Sequence, residues 1–211
     1  MELAELTVRG FTEEIASASP APGGGSAAAL AGAVGAALTA MVSGLTLGRK
    51  KYEAVQELAL CAQAQADVLR KRLLAAMEQD TQAFLQVSAA YAMPKQTLEE
   101  KQARSSAIEQ GLKACTQPPL AVMQLCAEGL ELLERLLGKT NATAASDFGV
   151  ACLSLRAGLQ GAWLNVCINT GSLCDAAFAA DARAAGQKLL DAGLPRAERC
   201  YAAMLGACSE E

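Results

Sequence analysis

Asp80 is an acidic residue on an apolar helix face. Leu73, Met77, Phe84 and Val87 recur around it in steps of three and four, so one face of a helix carries all five. A carboxyl group there is expected to be buried or to lie in a cleft. Burial raises a carboxyl pKa, and a raised pKa suits a general acid or base near neutral pH. The same placement also suits a structural ion pair with an Arg or Lys from another helix. The chain contains no histidine, which excludes Ser-His-Asp and Cys-His nucleophiles. Acid–base chemistry must then use Asp, Glu, Lys, Tyr or Cys. No cysteine has an obvious activating neighbour, so a carboxylate is the default catalyst.

Three further groups could serve a ligand. Pro20-Ala21-Pro22-Gly23-Gly24-Gly25-Ser26 is a glycine-rich turn feeding a long apolar segment. Such a turn can present free N–H groups to an anion, although the ending of a P-loop is missing; a tight turn needed only for packing explains it as well. Arg49-Lys50-Lys51 is a basic cluster, and Lys95 and Lys139 stand beside other expected helix ends. They suit either a polyanionic small molecule or cations placed at helix C-termini. Asn141, Ser146, Asp147, Asn165 and Asn169 surround the last strongly apolar segment. Asn165 and Asn169 share a face, and buried amides need partners, from other helices or from a ligand.

The elements that must position these residues read as helices throughout. Ala and Leu dominate a composition that is 52% hydrophobic but only 4% aromatic, which favours helix over strand. A first helix is expected over roughly 2–18. A second follows Ser26, read as its N-cap, and ends near Gly48. A third spans about 52–91, and a fourth starts at the Thr97–Glu100 capping box. Pro118-Pro119 should break or kink the fourth before it ends near Leu137. A fifth covers about 146–170 and a shorter one 172–191, with Gly193 and Pro195 separating it from a last helix. The expected fold is all-α: residues 1–211 as a single-domain bundle of long antiparallel helices.

The net charge of −4 argues against nucleic acid as a partner, because phosphate backbones need a basic surface. The eight cysteines fall mostly among apolar helical residues, and no ligand spacing for a metal is visible. The N-terminus lacks the basic and apolar stretches of a signal peptide. Residues 26–48 carry no charge and could span a bilayer by length, but Ala, Gly, Ser and Thr make most of the run. A buried central helix is the preferred expectation, with no membrane partner and a cytoplasmic location.

Several of these residues fall into motifs. Ser19-Pro20-Ala21-Pro22-Gly23-Gly24-Gly25-Ser26-Ala27-Ala28 and Leu45-Thr46-Leu47-Gly48-Arg49-Lys50-Lys51-Tyr52 resemble the cyclodeaminase/cyclohydrolase family of folate enzymes. Asp80-Thr81-Gln82-Ala83-Phe84 and Met93-Pro94-Lys95 resemble its D-x-x-A-F and L-P-K signatures, with Met for Leu at 93. Asn141, Ser146-Asp147-Phe148-Gly149-Val150-Ala151 and Asn165-Val166-Cys167-Ile168-Asn169 resemble its C-terminal half. The resemblance implies an all-helical homodimer with a folate in a cleft near the subunit interface and no permanently bound cofactor or metal. It implies that Asp80 is the catalytic carboxylate. Substrate-binding roles are implied for Gly23, Gly24, Gly25, Ser26, Lys50, Lys51, Lys95, Asn141 and Asp147.

Two reactions are then expected, both at the carbon held between N5 and N10 of tetrahydrofolate. In cyclohydrolysis, water attacks the methenyl carbon and the ring opens to the 10-formyl compound. In cyclodeamination, N10 attacks a formimino carbon on N5 and ammonia leaves. One positioned carboxyl could serve either. The absence of room for a transferase domain tilts the expectation towards the cyclohydrolase. A non-catalytic folate-binding dimer would display the same stripes and small residues.

Overall fold

The computed structural model describes residues 2–209, and the described residues form helices without strands. Six α-helices follow in order: α1 (Val8–Ala16), α2 (Gly24–Gly44), α3 (Gln56–Tyr91), α4 (Leu98–Leu136), α5 (Ala145–Gly171) and α6 (Ala176–Ser209). One hydrophobic core draws on all six, with Leu73, Met77, Met123, Leu133, Phe148, Leu155 and Leu159 fully buried.

The register of the bundle is set by small residues. A Cβ on Gly32 would meet Leu73 and Cys126, and one on Gly158 would meet Cys126 Sγ and the Ala28 carbonyl. A Cβ on Gly25 would meet Asp80, and one on Gly44 would meet Gln63. These pairs run α2 antiparallel to both α3 and α5, its main neighbours. Gly35 comes closest to neighbouring backbone, where a Cβ would lie 2.8 Å from the Ala151 carbonyl and 2.9 Å from the Leu155 nitrogen. Backbone cannot step aside as a side chain can. Gly35→Ala is therefore expected to destabilise the fold by about 1–3 kcal/mol, read as a lower chemical-denaturation midpoint. The glycines of α2, costly to a lone helix, let the backbones approach. This helix is long and apolar enough to cross a membrane, and 56% of its most apolar window is buried inside the bundle, as befits a core helix.

Several boundaries differ from the sequence expectation. A short 3-10 turn (Leu3–Glu5) precedes α1, which starts only at Thr7, whose hydroxyl accepts the Gly10 N–H. Ser26 is not the N-cap of α2. Gly23 caps it, and Ser26 is already a buried residue of the first turn. A 3-10 segment, Lys50–Val55, intervenes before α3. The expected Thr97–Glu100 capping box is present. The helix it starts, α4, runs unbroken through Pro118 and Pro119, and α6 runs unbroken through Gly193 and Pro195. Tertiary contacts supply the reason. A Cβ on Gly193 would lie 2.6 Å from Leu159, so this glycine serves close packing rather than a helix stop. The carbonyl that Pro119 leaves without its helical N–H, that of Cys115, instead accepts the Asn169 amide at 2.8 Å. Gly138, at φ +72°, ends α4 in the left-handed conformation.

A candidate active site at the start of α2

The Asp80 carboxyl lies against the N-terminal turn of α2. Its Oδ2 accepts the Ser26 hydroxyl at 3.1 Å, and the Ser26 backbone N–H also faces the carboxyl. Gly25 makes this approach possible, because a Cβ there would sit 2.3–2.5 Å from the carboxyl atoms. The group that the glycine-rich turn faces is Asp80, and the Ser26 hydroxyl is the donor it offers. Gly24 and Gly23 are less constrained. A Cβ on Gly24 would make an ordinary contact with Asn165, and one on Gly23 would meet nothing.

Burial holds the Asp80 carboxyl above its ordinary range, against the opposing pull of the Ser26 hydroxyl and N–H. Among the described residues, no Arg or Lys pairs with it, so the structural ion pair is not formed. The Ser26 hydroxyl also lies 3.3 Å from the Met77 carbonyl and 3.2 Å from Thr81 Oγ1. A hydroxyl has one proton and two lone pairs. With Asp80 ionised, Ser26 can donate to it. With Asp80 protonated on Oδ2, Ser26 can accept and turn its proton to Met77. Both protonation states fit one arrangement, as a proton-transfer group requires.

Removing the hydroxyl takes a donor from the ionised form and an acceptor from the protonated one, and the bond to the charged form is the stronger. Ser26→Ala is therefore expected to move the Asp80 limb of the pH–rate profile to higher pH, because the lost hydrogen bond is one that lowers this pKa. A limb that stays in place or moves down contradicts that role.

A cavity of about 160 Å³ opens in front of Asp80, lined also by Pro20, Ala21, Gly23, Gly24, Gly25, Phe84, Cys115, Asn165 and Asn169. Cys115 and Phe84 were not anticipated as site residues. Cys115 is neutral there: burial, followed by the nearby charge of Asp80, pushes its thiol up to about 11. Phe84 was legible as a neighbour on the Asp80 stripe. Cys115 belongs to α4 and gave no local signal.

The remaining candidates lie elsewhere within the chain. Asn141 is buried beyond the far end of α2, its N–H donating to Thr46 and its amide to the Leu45 carbonyl. The 21-residue α2 spans roughly 30 Å, which separates this end from Asp80. Lys50 and Lys51 are exposed in the adjoining 3-10 segment, Lys51 stacking over Tyr52. The Tyr52 hydroxyl in turn accepts the Ala142 N–H. Asp147 is half-buried in the first turn of α5 at the same end. Lys95 is exposed between α3 and α4. Arg49 and Lys139 donate to the Leu45 and Arg135 carbonyls, cations at helix C-termini. The chain therefore unites Asp80 with Gly23, Gly24, Gly25 and Ser26, and places Lys50, Lys51, Asn141 and Asp147 in a second group at the opposite end. No group of potential metal ligands occurs among the described residues.

Known proteins share both sequence and architecture with this chain. A family model described as formiminotransferase-cyclodeaminase matches residues 7–188. A methenyltetrahydrofolate cyclohydrolase from Methylorubrum extorquens is 44% identical over 173 residues, which cover 82% of this chain and 83% of that protein. A mouse formimidoyltransferase-cyclodeaminase is 32% identical over 176 residues, covering 83% of this chain but only 32% of that longer protein. The crystal structure of formiminotetrahydrofolate cyclodeaminase from Thermotoga maritima superposes with a TM-score of 0.83 at 26% identity, covering 98% of this chain and 97% of that one.

Proposed function

The chain belongs to the formiminotransferase-cyclodeaminase family, and from that premise we propose that it is a folate one-carbon enzyme, a methenyltetrahydrofolate cyclohydrolase, with Asp80 as its proton-transfer group. The observation that carries the proposal is a desolvated carboxyl, unpaired with any cation, facing a cavity and held by one serine in either protonation state. Water attacking the methenyl carbon loses one proton, the departing ring nitrogen gains one, and the hydroxyl proton of the tetrahedral intermediate leaves to solvent as the formyl carbonyl forms. A carboxyl with a raised pKa can take the first and return the second.

The cyclodeaminase alternative draws on the Thermotoga maritima structure. That chain is matched over 97% of its length, so chain length does not separate the two activities. A spectrophotometer does. Added to methenyltetrahydrofolate, the protein should speed the fall in methenyl absorbance. Added to formiminotetrahydrofolate, it would raise that absorbance if it were the deaminase. No change beyond the uncatalysed rate with either compound overturns the enzyme reading.

A cavity of about 160 Å³ is smaller than a whole drug-sized ligand site, so it suits the reacting end of a folate while the rest lies outside. The second cluster, at the opposite end of α2, can serve the same folate only from another copy of the chain. A suitable face exists on two adjacent helices: Val34 and Met41 of α2, Leu45 just after it, and Val150, Leu153, Leu164 and Ile168 of α5 are all exposed. A homodimer through this face would let the partner's basic segment approach the anionic tail of the folate. Gly23, Gly24 and Gly25 then form one wall, and Lys50, Lys51, Asn141 and Asp147 act from across the interface. Lys95 belongs to the outer approach. Val34→Glu is expected to halve the mass seen by light scattering and to lower activity together; a dimeric, active variant would exclude this face. Such a protein would work in the cytoplasm without nucleic acid, membrane, metal or permanently bound cofactor.

A further inference from the structure

The cavity before Asp80 is lined by oxygen acceptors whose direction is fixed. The Asn169 amide touches the Cys115 carbonyl at 2.8 Å, and the Asn165 amide touches the Gly161 carbonyl at 3.0 Å. A carbonyl can only accept, so each amide must turn its nitrogen to the helix and its Oδ1 away. The Cys115 carbonyl is free for Asn169 because Pro119, four residues on, has no N–H to offer it. Neither Oδ1 has a partner in the protein, and no unpartnered side-chain oxygen is buried out of reach among the described residues. Both oxygens are thus accessible, on residues that line the cavity. The Ser26 hydroxyl is spent on Asp80 Oδ2. No Lys or Arg lines this space.

Resting on the folate reading above, we propose that Asn169, held in place by the carbonyl that Pro119 exposes, is a specificity-determining residue that selects the cationic form of the one-carbon unit. The methenyl group bridging two nitrogens is an amidinium carrying a full positive charge. The 5-formyl compound has a similar outline and no such charge. Oriented carbonyl dipoles beside a carboxylate favour the first over the second. Asn165 adds a second dipole on the same wall.

The test compares two ligands in the intact protein: KM for 5,10-methenyltetrahydrofolate in turnover, and Ki for 5-formyltetrahydrofolate as competitor. Asn169→Leu should raise KM for the cation about tenfold, the loss of one oriented dipole facing a full positive charge. It should change Ki for the neutral compound less than about twofold. Asn169→Ser, which cannot overfill the site, should show the same split if the leucine variant folds poorly. Equal changes for both ligands, or none, overturn the inference and leave the folate reading intact. Absence of turnover by the unaltered protein is the separate failure of that reading.

Discussion

Asp80→Asn is expected to lower kcat by about 10²–10⁴-fold, the usual worth of a positioned acid or base. Asparagine keeps the shape of the side chain and can still accept a hydrogen bond from Ser26, so the helical circular dichroism should not change. What disappears is the ability to gain and lose a proton. The same variant should be more stable than the parent near neutral pH. The buried carboxyl ionises less readily in the folded state than in the unfolded one. Between the ordinary Asp value, about 3.9, and its raised native value, the folded protein keeps a proton that the unfolded chain has released. Stability therefore declines as pH rises through that window. Asparagine is exempt from this loss. Its thermal midpoint should exceed that of the parent at pH 7, and the gap should narrow as pH falls towards and below the ordinary Asp value. Melting curves across pH check the sign, and a parent that outlasts the variant at neutral pH contradicts it. Stability given up for a working carboxyl is a common arrangement at active sites.

Gly25→Ala should damage catalysis nearly as much while sparing the fold. Its Cβ would fall 2.3 Å from Asp80 Oδ1, so the carboxyl must rotate away and loosen its bond to Ser26. A displacement of about 1 Å at a reacting group can cost 10²-fold, and a loss of about that size in kcat is expected. The global cost is small because two effects of about 1 kcal/mol oppose each other: alanine improves the helix, and the clash strains it. Gly24→Ala is the internal control. Its Cβ would lie 3.9 Å from the Asn165 amide, an ordinary contact, so activity should stay within a few-fold of the parent. Equal activity in the two variants would show that the close approach at Gly25 is immaterial.

The sequence made some of this site visible. Asp80 stood out because a carboxylate interrupts a helical stripe, and the stripe is real: Leu73, Met77 and Val87 are buried around it. The glycine-rich turn stood out as well, although its role differed in detail. Ser26 looked like a cap because it precedes an apolar run, yet the Gly23 carbonyl already accepts the Ala27 N–H and begins the helix earlier. Its hydroxyl was thereby free for Asp80. The pairing of Asn169 with the Cys115 carbonyl joins residues 54 apart in the chain, and local pattern holds no trace of it. The basic segment at Lys50 and Lys51 came into the same candidate set through motif order, which carries no distance. Only the run of α2 between them shows that they sit at the other end of the bundle. The prolines of α4 and α6 misled for a related reason. Propensity describes an isolated helix, and these helices are held by their neighbours.

Asp80 can be followed directly by carbon-13 NMR titration of aspartate-labelled protein, its carboxyl signal identified by its loss in Asp80→Asn. The expected midpoint lies above the ordinary Asp range, coincides with a limb of kcat/KM for methenyltetrahydrofolate, and moves up with that limb in Ser26→Ala. A midpoint within the ordinary range, or one that moves independently of the kinetic limb, would contradict the assignment of Asp80 as the proton-transfer group.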